Sequence, residues 1–186
     1  DESNVTVVLA GALLTLTPAA NWSGTANITV TVDDQVSRLT DTETFVLTVN
    51  TVNDAPVVTQ LDPPASIDED APEQTISLTG IGDGDADATQ VITVTATSDN
   101  TGLIPDPTVA YTSDSATGSL AYTPVANANG TANITVTVSD DGGTDNGGVN
   151  STTMTFMVTV TSVNDVPVIA QVSDPAAIDE DAPEQT

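Results

Sequence analysis

Oxygen is the only chemistry this chain offers in quantity. It carries 27 acidic side chains against a single basic one, Arg38, for a formal charge of -26, and it has no histidine and no cysteine. The acids gather in short clusters. Asp83, Asp85 and Asp87 alternate with small residues. Asp140 and Asp141 are adjacent, with Asp145 close behind, and Asp68, Glu69 and Asp70 run consecutively. Asn53-Asp54 and Asn164-Asp165 form two further pairs. Two carboxylates ~5 Å apart repel by ~3 kcal/mol at an effective dielectric of about 20. Clusters of this kind splay apart unless a cation sits among them. Carboxylate, amide and carbonyl oxygens are hard ligands that suit calcium.

The same inventory excludes much else. Without histidine or cysteine there is no histidine-based triad and no thiol nucleophile. Without lysine there is neither a Schiff base nor a P-loop. A carboxylate pair could cleave a glycosidic bond, but these clusters recur with an internal repeat, so no enzyme is expected. An EF-hand beginning at Asp83 needs glycine and glutamate where Ala88 and Val94 stand. The glycine-aspartate text at 80–87 occurs once, which is no nonapeptide β-roll. The negative field repels phosphates and anionic surfaces, so no nucleic-acid partner is expected. No stretch is long and apolar enough to insert directly into a membrane.

The elements that hold the acids are set out by the repeat. IDEDAPEQT stands at 67–75 and again at 178–186, and VNDAPV at 52–57 returns as VNDVPV at 163–168, both offset by 111 residues. GTANITVTV at 24–32 returns at 130–138, offset by 106; the difference is a longer loop at 142–150. The expected organisation is the C-terminal part of one unit at 1–52, a complete unit at 53–163 and the start of a third at 164–186. A window cut inside repeats implies a longer parent chain.

Threonine occurs 33 times and valine 24 times, which suits pleated strands. Ile134, Val136 and Val138 alternate with polar residues, as do Ile92, Val94 and Ala96, and Met154, Phe156, Val158 and Val160; this is the period of strands with one buried face. Seven strands are expected in the complete unit: A at 55–60 continuing to 67, B 74–80, C 90–97, D 108–112, E 118–123, F 131–139 and G 151–162. Pro63-Pro64 fits an edge or bulge. The first partial unit supplies D to G only. The fold class is therefore all-β, as tandem seven-stranded Greek-key sandwiches.

The linker NDAPV, the opening EDAPEQTISLTGI, the segment TPVANANGTANITVTVSDDGG and the closing TFMVTVTSVND resemble the bacterial cadherin-like and immunoglobulin-like repeats of giant extracellular adhesins. The resemblance covers nearly the whole chain. It implies tandem β-sandwiches on long secreted or cell-surface proteins, often with calcium at the joints.

Alternating strand direction places the B–C and F–G loops at the end where a unit begins, beside the incoming linker. The A–B loop lies at the opposite end, beside the outgoing linker. Asn53, Asp54, Asp83, Asp85, Asp87, Asp140 and Asp141 are thus the expected Ca2+ ligands of one joint. Glu69, Asp70, Asn164 and Asp165 are those of the next, near Asp68. The layout is similar to the cadherin joint.

The leading functional expectation is an extracellular spacer or fibre-forming repeat stiffened by calcium. Its partners would be adjacent repeats of the same chain and neighbouring chains in a fibre. The alternative is a carbohydrate- or protein-binding adhesion module. For that alternative the departures between repeats matter: Trp22, where the second unit has Ala128, and the insert at 142–150. Trp22 also suits a packing wedge, and Phe45, Tyr122 and Phe156 sit at inward positions expected in the core. Asn4, Asn21, Asn27, Asn129, Asn133 and Asn150 begin six Asn-X-Ser/Thr sequons, candidate glycan sites that also arise readily in a threonine-rich repeat.

Overall fold

A computed structural model describes residues 4–86, 89–174, 177–181 and 183. The chain order of its strands begins β1 (Val5–Ala10), β2 (Leu13–Pro18), β3 (Gly24–Asp33), β4 (Thr40–Val49), β5 (Ile67–Asp68) and β6 (Gln74–Thr79). It continues with β7 (Thr93–Ser98), β8 (Thr108–Ala110), β9 (Thr117–Tyr122), β10 (Gly130–Ser139) and β11 (Ser151–Thr161). A single 3-10 turn at Asp145–Gly147 is the one helical element among the described residues.

Strands β5 to β11 form two sheets, ordered β5-β11-β10-β7 and β6-β9-β8. The alternation read from the sequence decides which faces meet. Ile134, Val136 and Val138 of β10 are fully buried, as are Val158 of β11, Leu120 of β9 and Leu78 of β6. Val94, Ala96, Tyr122, Met154, Phe156 and Val160 complete the interior, while Met157 points outward. Leu103 and Ile104, in the turn between β7 and β8, are buried in the same cluster. The result is the expected all-β sandwich of seven strands.

Two expected strands differ. Strand A is not continuous over 55–60. It makes one bridge, Val57 to Gly82, and one further bond from Thr59 N to the Thr79 carbonyl, 2.9 Å, before the two-residue β5. Pro56, Pro63 and Pro64 supply no N–H to a ladder, which limits pairing along this stretch. β5 then pairs in parallel with β11, through Val160–Ile67 and Thr161–Asp68. Strand C starts at Thr93 rather than 90, because side chains take the preceding N–H groups. Val91 N donates to Asp141 Oδ1 at 2.8 Å, and Ile92 N to Ser113 Oγ at 2.9 Å.

The first half of the chain is two antiparallel hairpins, β1-β2 and β3-β4. The β1-β2 turn has Gly11 at φ +63°, a conformation open to glycine at the first position of a tight two-residue hairpin. Among the described residues of this half, only Val5, Ala26 and Ile28 are buried, with Leu14, Leu16, Trp22 and Leu47 against them. Phe45, expected in the core, is 40% exposed. Among the described residues its sheet faces the β1-β2 hairpin but no counterpart of β6, which leaves the ring partly uncovered.

One nonapeptide thus sits in two environments, which sets a test. Ile134→Ala empties a fully buried site and should cost about 3 kcal/mol. Ile28→Ala should leave the unfolding transition of β5 to β11 unchanged, because Ile28 belongs to the separate small cluster. Urea unfolding followed by the near-ultraviolet signal of Tyr122 checks both.

Candidate functional site

Strand direction brings three segments together at one end of the sandwich: the incoming linker at Asn53, the loop between β6 and β7, and the loop between β10 and β11. Asn53 is buried and joins all three. Its Nδ2 donates to Asp140 Oδ1 at 2.9 Å, to the Val149 carbonyl at 2.8 Å and to the Gly143 carbonyl at 3.1 Å. Val149 N returns a bond to the Asn53 carbonyl at 3.0 Å. On the other side, Gln90 Nε2 donates to Asn53 Oδ1 at 2.6 Å and to Asp85 Oδ2 at 2.9 Å.

Glycine makes this approach feasible. A Cβ at residue 142 would stand 2.0 Å from Asn53 Oδ1, and one at residue 148 would stand 3.0 Å from Asn53 Cβ. A Cβ at residue 84, where φ is +77°, would meet the Ala55 carbonyl oxygen at 2.1 Å. The linker is therefore pressed against backbone on both sides.

The acids act first as acceptors. Asp83 Oδ2 takes Gln90 N at 3.2 Å, Asp141 Oδ1 takes Val91 N at 2.8 Å, and Asp140 Oδ1 takes Gly142 N at 3.0 Å. Two buried oxygens in this cluster have no hydrogen-bond partner, Asp140 Oδ2 and Gln90 Oε1. The hydroxyl of Tyr111 is likewise without one. Burial, then the charges of Asp114 and Asp83, hold its phenol above the ordinary range. Both orphaned oxygens belong to the same hydrogen-bonded loop network as Asp83, Asp85 and Asp141. No group of three acidic side chains close enough to hold a metal occurs among the described residues. Asp87 lies outside the described residues, and Asp54 is half-buried in a groove shared with Trp22 and Asn50.

At the opposite end, Glu69 is buried and its Oε1 accepts Val163 N at 2.8 Å, while Glu69 N donates to the Thr161 carbonyl at 2.8 Å. Asp68 Oδ1 accepts from Thr161 Oγ1 at 2.8 Å. Asp70, at φ +62°, accepts Asn127 N at 3.0 Å. Asn164 and Asp165 are exposed, and Asn164 Nδ2 donates to the Asp165 carbonyl. The structure thus brings Asn53, Asp83, Asp85, Asp140 and Asp141 into one loop cluster. It ties Glu69 to the outgoing linker through Val163 rather than through the Asn164 or Asp165 side chains.

Gln90 is the residue that sequence reasoning missed. Its signal was parity: position 90 shares the inward phase of Ile92, Val94 and Ala96, and a polar residue in an inward phase needs partners.

Asn53→Ala should leave Asp140 Oδ1, the Val149 carbonyl and Gln90 short of partners in a buried site. Each such loss costs about 1–3 kcal/mol, so a drop of roughly 2–4 kcal/mol in unfolding free energy is expected, read by urea titration. Asn53→Asp should be at least as damaging, since it sets a carboxylate against Asp140.

The stretch 53–162 matches the family model described as a bacterial Ig domain. A comparison with curated protein sequences found no match. Among solved structures, the chain is similar to domains 4 and 5 of the S-layer protein SbsC, at 20% identity and a TM-score of 0.38, over 78% of this chain and 68% of that one. It is also similar to SbsC domains 1-6, at 20% identity and a TM-score of 0.37, over 86% of this chain but 19% of that one. The family match covers more than half of the sequence, and the matched residues build a sandwich of four strands against three, so the chain belongs to the bacterial Ig-domain family.

Proposed function

We propose that this chain is a spacer segment of a long extracellular or cell-surface protein, a run of consecutive sandwiches whose joints are stiffened by calcium. The observation that carries the reading is the burial of the linker residue Asn53 inside the acidic loops of the unit that follows it. A linker held this way leaves little free chain between units, and Pro56, fully buried, fixes the backbone further. Asp140 Oδ2 and Gln90 Oε1, with Asp83, Asp85 and Asp141 in the same bonded network, are the oxygens that would hold the ion. Bound calcium would supply the positive charge that the acidic joint lacks. Partners are then the adjacent repeats, and neighbouring chains where the parent builds a fibre. Trp22 packs against the small core of the first half, which favours the wedge over an exposed sugar platform.

Extracellular modules bind calcium at roughly 0.1–1 mM. At ~10 mM calcium a site with a dissociation constant of ~0.1 mM adds ~2.7 kcal/mol to stability. Calorimetric melting with calcium and with chelator measures this; an unchanged melting temperature sinks the calcium reading. Asp83→Ala with Asp85→Ala should mimic the chelator.

Repetition of one head-to-tail joint produces an open linear array. Small-angle scattering of three consecutive units in calcium should give a maximum dimension near three unit lengths, about 40 Å each from strand rise and loops. A compact profile would refute the rod.

A further inference from the structure

We propose that Asn146, in the β10–β11 loop, is a site of spontaneous covalent modification, and that its conversion to isoaspartate loosens the loop's hold on the incoming linker. The chain contains two Asn-Gly pairs, Asn129-Gly130 and Asn146-Gly147. In such a pair the backbone nitrogen that can attack the asparagine amide belongs to a glycine, so no side chain hinders its approach. The structure separates the two pairs. Gly130 is the first residue of β10 and stands opposite Val160 of β11, so the ladder holds the backbone after Asn129. Asn146 lies in the single 3-10 turn, which buries no residue. Asn146 and Gly147 are both exposed, at φ +57° and +90°, and the space beside Gly147 is open. The amides of Asn53, Asn100 and Asn133 are tied by hydrogen bonds, while the Asn146 side chain makes none among the described residues. A turn without a core residue opens at small cost, independently of the sandwich.

The reaction balances with water as its one co-reactant. Gly147 N gives up its proton and bonds to Asn146 Cγ. The Cγ–Nδ2 bond breaks, and ammonia leaves with that proton. The five-membered imide then adds water at one of its two carbonyls. One product is aspartate. The other is isoaspartate, in which the main chain runs through Cβ and Cγ. Nothing is oxidised or reduced.

Position gives the change its consequence. The loop grips Asn53 on both sides of residue 146. Asn53 Nδ2 donates to the Gly143 carbonyl at 3.1 Å and to the Val149 carbonyl at 2.8 Å, and Val149 N donates to the Asn53 carbonyl at 3.0 Å. A Cβ at residue 148 would already stand 3.0 Å from Asn53 Cβ. Isoaspartate lengthens the main chain between these contacts by one methylene. It also adds a negative charge beside Asp145, in a loop that carries Asp140 and Asp141. The joint entered at Asn53 therefore ages, whereas the shorter loop after Asp34 contains no Asn-Gly pair.

The test holds the full chain in warm, mildly alkaline buffer with chelator, so that calcium has no part in the outcome. Peptide mapping with isoaspartate-specific methylation follows the products over time. The Asn146 amide should be lost at least about tenfold faster than that of Asn129, with isoaspartate among the products. Hydrogen exchange on the aged mixture should show the Val149 amide exchanging at least about threefold faster in the isoaspartate form, as loss of one net hydrogen bond predicts. Asn146→Gly removes the reacting amide and suits the left-handed backbone at this position, so the variant folds. After the same incubation it should keep the Val149 exchange of fresh protein. Three results overturn the proposal: an Asn146 rate short of the tenfold margin over Asn129, isoaspartate at 146 with Val149 exchange unchanged, or an aged Asn146→Gly chain that loosens as much as the aged natural one.

Discussion

The amide of Asn53 is the interaction on which the rest of the joint end depends. It donates on one side to the β10–β11 loop and accepts on the other from Gln90, at the approach to β7. No other short side chain does both. Aspartate cannot donate to Asp140, and glutamine is one methylene too long for a site where Gly142 and Gly148 already touch the side chain. Once residue 53 is fixed, the path of the next residues follows. Ala55 lies against Gly84, Pro56 is buried, and Val57 bridges Gly82. The irregular first strand is therefore a consequence of the linker being anchored, and its departure from a ladder costs little because proline leaves fewer donors to satisfy.

What the sequence showed plainly was whatever depends on period and direction. The inward residues of β7, β9, β10 and β11 followed from alternation alone. The meeting of the linker with two acidic loops followed from counting strand reversals. What it hid depends on competition for backbone groups. Residues 90–92 continue the alternation of strand C, yet Asp83, Asp141 and Ser113 take their N–H groups before the neighbouring strand can. Periodicity records which face a side chain takes and is silent on where the N–H bonds. Phe45 was misread for a different reason: inward phase means burial only as far as the facing layer reaches, and the β1-β2 hairpin packs over Ala26, Ile28 and Leu47 while Phe45 stays 40% exposed.

The nonapeptide at 24–32 and 130–138 separates these two causes. In both copies it forms a strand paired to its C-terminal neighbour over ten residues, so local preference and hairpin register travel with the sequence. Burial does not travel. Val138 is fully buried while Val32 is 65% exposed. β10 has β7 along its second edge and the three-stranded β6-β9-β8 sheet across from it; among the described residues β3 has no strand along its second edge and only the β1-β2 hairpin packed against it. Strand identity is therefore a property of the segment, and core membership is a property of the assembly around it.

The acids fit the same logic. In a chain with one basic side chain, a carboxylate can find almost no ion-pair partner, so it turns to the donors every residue carries. Asp83, Asp140 and Asp141 accept backbone N–H groups at one end, and Glu69 and Asp70 do so at the other. Asp99 accepts the side-chain amide of Asn133 and then its backbone N–H, which hold its carboxyl below the ordinary range. Each backbone bond satisfies an N–H that is left without a ladder partner. A backbone donor orders a carboxylate without neutralising it. The charge that ends these strands stays in place, and part of it is concentrated where the linker enters.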